Sequence, residues 1–503
     1  MFQMNIYKSC QMRIQSLLTA GRLAGLLVLL HLALSNYSYA QTRGQEKNYV
    51  TIDPGDKETD IIRKAATVVP SPRQFRWQQL ELTAFLHFGI NTFTNREWGD
   101  GKEDISRFNP SRLDAGQWVR VLKAAGFKQV IVTAKHHDGF CLWPSKYTEH
   151  SIKNTPYMHG KGDVVKAVAD ACKAQGVGFG VYLSPWDRNS LFYGDSAKYN
   201  THFMHQLTEL LSNYGKVDEV WFDGANGEGP NGKKQVYNFD AWYALIRRLQ
   251  PGAVIAIMGP DVRWVGTESG YGRETEWSVI PADRNMLAKI AAGSQQDIAF
   301  APVGDKTAED LGSREKIRNA SALVWYPAET DVSIRPGWFY HPEEDRKVKT
   351  PDKLMDIYFN SVGRNGVLLL NVPPDTNGLI SQSDVRSLQE WKVKFDRTFS
   401  VDYAKGAVKK IISPFIIELD LKRTATFNVL CLQENIRSGQ RVEQFTAEYW
   451  DGHDWKKLAT GTTIGYKRLL KFDAVTTGKI RLNIGSSRLT PELTAIGAYR
   501  LAE

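Results

Sequence analysis

Between about residues 80 and 400 the chain alternates two kinds of segment. Short runs rich in β-branched and aromatic residues occur at Thr83–Thr92, Gln129–Lys135, Val177–Leu183, Glu219–Asp223, Val254–Met258, Ala322–Tyr326 and Val367–Val372. Between them, apolar residues recur three and four apart in Ala115–Ala125, Val164–Ala174, Thr201–Tyr214, Phe239–Leu249, Lys353–Ser361 and Ser383–Arg397. A near-continuous apolar strand must be covered on both faces, and parallel strands are joined by the crossover helices that cover them. The alternation predicts an α/β fold, a (β/α)8 TIM-like barrel with its eighth strand in Asp297–Pro302. A doubly wound open sheet would satisfy the same pattern.

After about residue 400 the helical period is absent. Short β-type segments at Ala407–Ile412, Ile416–Asp420, Thr426–Leu432, Gln444–Tyr449, Lys479–Ile484 and Ala495–Leu501 are divided by turn pairs such as Asp451-Gly452 and Thr460-Gly461. This predicts a C-terminal β-sandwich over 401–503, following a barrel domain with an N-terminal extension over 41–400. No low-complexity linker intervenes, so the two parts are expected to pack closely. The expected role of the tail is to brace the barrel, with glycan binding as the alternative.

Residues 1–40 read as a secretory signal. Lys8, Arg13 and Arg22 precede the apolar run Leu23–Leu34, and Ser38-Tyr39-Ala40 supplies small residues for cleavage. Twelve apolar residues are short for a bilayer span, so export to a bacterial periplasm or surface is expected, with no membrane span after cleavage. The remaining cysteines, Cys141, Cys172 and Cys431, form neither a disulfide framework nor a CxxC metal pair. No HExxH or HxH occurs, so neither metal nor cofactor is expected. Of the net charge of +9, three positive charges sit in the acid-free leader and the remaining basic residues are interleaved with acids with no basic arm, which argues against nucleic acid.

Function in such a barrel sits at the C-terminal ends of the strands. Those ends carry His87, then Glu97 and Trp98; His136 and His137; Tyr182; Trp221 and Asp223. Polar groups beside aromatic rings suit a sugar, which offers hydroxyls and an apolar C–H face. Asp223, at a strand end before Gly224-Ala225, reads equally as a nucleophile or as a cap of the next helix. Neighbouring strand residues face opposite ways, so His136 and His137 serve one site only if the strand has already ended. A second carboxylate is needed for glycoside chemistry, and Glu268, Glu274 and Glu276 all lie in or near the glycine-rich segment 263–272.

Six ordered motifs then match a known family. FLHFGINTF (85–93), EWG (97–99), TAKHHDGFCLWPS (133–145), GVYLSPWD (180–187), EVWFDGA (219–225) and GVLLLNVPPDTNG (366–378) resemble the family 29 glycoside hydrolases, the retaining α-L-fucosidases. VRWVGTESGYG (262–272) and TDVSIRPGWFYH (330–341) resemble the subgroup that cleaves α-1,3/1,4-linked fucose in branched, Lewis-type glycans, although GTESG replaces that subgroup's usual GNEAG. The resemblance implies Asp223 as nucleophile and Glu268 as acid/base. His87, Glu97, Trp98, His136, His137, Tyr182, Trp221, Trp264 and Trp338 would line the pocket. It also implies a galactose-binding-like tail and fucosylated oligosaccharides or glycoconjugates as substrate. Phe88, Phe140 and the nearby tryptophan rings are candidates to pack on the fucose methyl. Competing readings are another retaining exo-glycosidase, such as an α-galactosidase, and a non-catalytic fucose-binding protein.

Overall fold

The computed structural model describes residues 47–282 and 310–502. The leader and the expected strand at Asp297–Pro302 lie outside them.

Eight parallel strands form the central sheet: β1 (Leu82–Leu86), β2 (Gln129–Lys135), β3 (Gly178–Leu183), β4 (Glu219–Phe222), β5 (Val254–Ile257), β6 (Arg263–Trp264), β7 (Ala328–Ser333) and β8 (Val367–Asn371). Their hydrogen-bonded order is β5-β4-β3-β2-β1-β8-β7-β6. A single parallel bridge, Ala256 to Val262, brings β5 back to the start of β6 and nearly closes the ring. The fold is therefore a TIM-like barrel, and the open doubly wound alternative falls away.

Two assignments differ from the sequence reading. Ala322–Trp325 is not a barrel strand; it pairs antiparallel with Tyr49–Thr51 and Val279–Pro281 in a small outer sheet. The barrel instead uses β6 and β7. β7 reads AETDVS, and its inner face carries Glu329 and Asp331, so it lacks the apolar signature of its neighbours. Nor does any helix separate β5 from β6, whose residues join through a tight turn.

The alternation in the other strands is explained by two cores. Val130, Val132 and Ala134 of β2 face outward into a core shared with the helices, while Ile131 faces the barrel interior with Phe85, Tyr182, Trp221 and Leu369. The covering helices are α1 (Ala115–Ala124), α2 (Val164–Gln175), α3 (Ser196–Asn213), α4 (Phe239–Leu249), α5 (Pro351–Asn360) and α6 (Gln382–Phe399). Side chains of Asp114, Asp163, Asp195, Asn238 and Thr350 accept from the third backbone N–H of helices α1 to α5, satisfying donors the helix leaves unpaired. Asp195 starts α3 earlier than the apolar period alone indicates. The helix Pro72–Gln78 places Trp77, 2% exposed, in the interior cluster at the N-terminal end of the strands.

The C-terminal part is one antiparallel sheet: β9 (Val408–Ser413), β10 (Ile416–Glu434), β11 (Val442–Trp450), β12 (Trp455–Gly461), β13 (Arg468–Ser487) and β14 (Leu493–Tyr499). The expected strands Ile416–Asp420 and Thr426–Leu432 are two halves of β10, whose register breaks between Asp420 and Ala425. Both halves supply side chains to a single core, Leu419 from one and Leu430 from the other sharing it with Ile480 and Leu482, so the sheet doubles over as a sandwich. Val429, Cys431 and Leu469 belong to the outer core of the barrel, and the described residues from Asn48 onward form one compact unit.

Candidate active site

Residues two apart on a strand share a face, so β4 sends Glu219, Trp221 and then Asp223 inward at successively higher levels. On β1 the same rule aligns Phe85 with His87. At the C-terminal end of the barrel Phe85, His87, Trp221 and Asp223 border an open cavity. Its walls contain all eleven residues anticipated from sequence: His87, Glu97, Trp98, His136, His137, Tyr182, Trp221, Asp223, Trp264, Glu268 and Trp338. They also contain Phe85, Ile257 and Asp331, which were not anticipated. Phe85 was legible by its two-residue spacing from His87. Asp331 was hidden because β7 itself was.

Asp223 caps no helix, since α4 begins at Asn238. Its Oδ1 accepts the Ala225 N–H at 2.7 Å and its Oδ2 accepts the Tyr182 hydroxyl at 3.1 Å. The Tyr182 ring stacks on Trp221 at 5.2 Å and 24°. The carboxylate is thus held by its own turn and by the adjacent strand.

β2 ends at Lys135, and its register against β3 shifts after Thr133. His136 and His137 therefore lie beyond the strand, which is the condition under which both reach one cavity. The Ser184 hydroxyl donates to the Trp186 carbonyl at 2.7 Å and so accepts from His137 Nδ1 at 2.8 Å. His137 Nε2 consequently carries a lone pair and lies 3.9 Å from Asp223 Oδ2. Asn371 does the same for His87. Its amide donates to Ser333 Oγ and the Trp338 carbonyl, and its Oδ1 accepts from His87 Nδ1 at 2.9 Å. Burial pulls His87 down to about 4, and lowers His136 and His137 as well. At neutral pH the cavity thus presents neutral imidazoles, able to accept hydrogen bonds from sugar hydroxyls without adding charge.

Glu268 sits in the turn after β6. Thr267 Oγ1 and Ser269 Oγ, the two residues that set GTESG apart, bond to each other at 2.8 Å across it. Trp338 Nε1 donates to Glu268 Oε2 at 3.1 Å. Glu268 keeps solvent contact, but the enclosing walls desolvate it, and with the charges of Asp223 and Glu97 they push its pKa up to about 7. Of the rival carboxyls, Glu274 pairs with Arg364 and Arg468, and Glu276 with Arg263 and Arg273; neither lines the cavity.

Glu97 is a clamp as well as a wall. Its oxygens accept the backbone N–H groups of Trp338 (2.8 Å) and Phe339 (3.0 Å) and pair with His341 Nε2 (2.6 Å). Gly337 allows this approach: a Cβ there would lie 2.6 Å from Glu97 Oε1. Trp98 lies at the mouth, 36% exposed, edge-on to His137 and Trp186. Phe88 and Phe140, proposed above for the fucose methyl, are buried outside the cavity against Phe108. Outward orientation explains this: Phe88 faces the helices, while Phe85 and Ile257 supply the apolar wall. Ile257 holds φ of +64°, a costly backbone for a β-branched residue and a form of strain that concentrates at functional sites. Among the described residues no group of His, Cys, Asp and Glu side chains is arranged to hold a metal ion.

A carboxylate fixed by two donors, facing a carboxyl poised to carry a proton, in an aromatic cavity, is equipment for splitting a glycosidic bond. The alpha-L-fucosidase family model matches residues 73–392. The chain belongs to the alpha-L-fucosidase family. Alpha-L-fucosidase 1 of Arabidopsis thaliana is 41% identical over 465 residues, covering 86% of this chain and 87% of that protein. A crystal structure from Bacteroides ovatus, provisionally described as an alpha-L-fucosidase, is 53% identical with a TM-score of 0.84, covering 91% of this chain and 78% of the other. A Ruminococcus gnavus family 29 fucosidase in complex with fucose is 30% identical with a TM-score of 0.74, covering 91% and 98%. This alpha-L-fucosidase is thus a glycoside hydrolase whose substrates are fucosylated glycans.

Proposed function

We propose that the enzyme releases terminal L-fucose by double displacement with retention. Asp223 attacks the anomeric carbon while Glu268 gives its proton to the departing glycosidic oxygen, forming a covalent fucosyl-enzyme. Glu268, now a carboxylate, takes a proton from water, which attacks the same carbon and frees Asp223. The observation that carries this reading is the pair itself: one cavity, with Asp223 tied to its strand and Glu268 lifted to about 7. Retention requires carboxyl groups about 5–5.5 Å apart in the working complex. Phe85, Ile257 and the tryptophans would take the fucose methyl, and the three histidines the hydroxyls.

Asp223→Ala should remove nearly all turnover while leaving fucose binding. Glu268→Ala should lose about 10²–10⁴-fold on a poor leaving group, and azide should restore activity on an activated aryl fucoside, yielding a fucosyl azide of retained configuration. An inverted first product, or azide rescue in a Glu274 or Glu276 variant instead, would overturn the assignment.

For linkage, the proposal is α-1,3/1,4-linked fucose on branched glycans. Its support is the likeness of segments 262–272 and 330–341, which supply Trp264, Glu268 and Trp338 to the cavity. Faster release from a branched α-1,3/1,4 oligosaccharide than from a linear α-1,2 one is the expected result. Export is proposed from residues 1–40 alone, and loss of that segment from the mature exported protein is the test.

A further inference from the structure

Below the sugar cavity, the barrel interior holds two carboxyl groups for which the hydrolysis has no use. Glu219 on β4 and Glu329 on β7 are both fully buried. Glu219 Oε2 accepts from Trp77 Nε1 at 3.0 Å and Gln129 Nε2 at 2.6 Å. Glu329 Oε1 accepts from Trp221 Nε1 at 2.7 Å. The other two oxygens, Glu219 Oε1 and Glu329 Oε2, are sealed from solvent and have no nitrogen or hydroxyl donor among the described residues. Neither carboxyl forms an ion pair with a described basic side chain. Yet the two are within hydrogen-bonding reach of each other.

Two facing carboxylates in a low-dielectric interior repel, and each orphan oxygen would carry a full desolvation cost. One proton held between them removes both problems. We propose that Glu219 and Glu329 share a single proton across the barrel and act as a positioning pair that fixes Trp221 beneath the bound sugar. The proton sits on Glu329, because Glu219 has two N–H donors to support its negative charge and Glu329 has one. Glu329 Oε2–H then donates to Glu219 Oε1, leaving Glu329 Oε1 free to hold the Trp221 indole. Trp221 lines the cavity, packs edge-on against Phe85 at 5.0 Å and stacks on Tyr182, whose hydroxyl holds Asp223. The pair thus acts through Trp221 and touches no substrate.

The charged groups that face the pair are acids: Asp218, which precedes Glu219, and Asp331, two residues past Glu329 on β7. They reinforce burial, which raises both carboxyls above the ordinary carboxylate range, Glu329 the further of the two. In the unfolded chain both ionise near 4.5. The retained proton is that of Glu329, so the stability it gives is complete below about pH 4.5 and is lost progressively as pH rises from there through the raised pKa of Glu329.

The test uses the full-length enzyme and the variants Glu329→Gln and Glu329→Ala. In Glu329→Gln the amide oxygen accepts from Trp221 and the amide N–H replaces the shared proton. The wild-type Tm should fall between about pH 5 and about pH 8, and that of Glu329→Gln should fall less over the same range. Parallel curves would overturn the proposal. Glu329→Ala should raise KM for an aryl α-L-fucoside about tenfold with a smaller change in kcat, and Glu329→Gln should recover most of that loss. A Glu329→Gln enzyme with KM as poor as the alanine variant would dismiss the positioning role. If Glu329→Ala does not fold, the Tm curves of wild type and Glu329→Gln decide alone.

Discussion

As the proposed acid/base, Glu268 must carry a proton before it can give one away. Desolvation by the cavity walls and the negative charges of Asp223 and Glu97 raise its pKa, while the indole N–H of Trp338 supports the carboxylate and lowers it. The balance near 7 places the alkaline limb of kcat/KM close to neutrality, because that limb follows ionisation of the acid in the free enzyme. Trp338→Phe removes that indole donor and keeps an aromatic ring in the cavity wall. The alkaline limb should move upward by about half a unit to one unit, the size expected for one neutral donor to a charged acceptor. A pH–rate series on an aryl fucoside measures it, and an unmoved limb would take Trp338 out of the proton chemistry. Residue types and strand-end positions were enough to name His87, Glu97, Trp98, His136, His137, Tyr182, Trp221 and Asp223, while Trp264 and Trp338 came from the family resemblance. They could not choose among Glu268, Glu274 and Glu276, which differ only in what surrounds them: a cavity for the first, arginines for the others.

At the scale of elements, β7 and the segment after it deliver Asp331 and Trp338, and their anchor is Arg335. This guanidinium is fully buried and bonds Asp384 (3.0 Å), Asp345 (2.7 Å), Ser381 (2.7 Å) and the His341 carbonyl (3.3 Å), tying the segment to the first turn of α6. Burial holds Asp384 up at about 6 despite that pairing. Arg335→Met should destabilise the enzyme by about 3–5 kcal/mol, since it strands the carboxyl of Asp384. Arg335→Met with Asp384→Asn should recover part of the loss, because both charges are then gone; denaturant unfolding measures each. β7 escaped the sequence reading for a physical reason. A strand that turns Glu329 and Asp331 into a barrel has no apolar alternation, whereas Ala322–Trp325 has it and uses it against a different sheet. Strands β1 to β5 and β8, apolar on both faces, were legible.

Across the whole molecule, the C-terminal sheet holds the chain immediately after the Glu268 turn. Thr462 bonds Thr275, Thr463 accepts from the Glu276 N–H, Gln440 donates to the Glu276 carbonyl, and Arg468 donates to the Glu274 carbonyl at 2.6 Å. Lys467 reaches Glu81, which precedes β1. These contacts make bracing a sufficient role for the tail. Arg468→Ala, which removes charge-assisted bonds at a 3% exposed side chain, should cost about 1.5–3 kcal/mol and lower kcat through the loosened 263–276 segment. Thermal unfolding and kcat on one preparation check it. An unchanged kcat would limit the sheet to a stabilising part.

The sequence by itself determined the periodicities, and with them a helix-covered parallel sheet, a β-rich tail and the strand ends where chemistry could collect. Those properties are local, because side-chain direction follows from spacing along one segment. Only the tertiary structure decided which acids converge. Asp223 and Glu268 meet because β4 and β6 are brought around one ring. Glu219 and Glu329 face each other across it for the same reason, and no feature of either segment alone records the other.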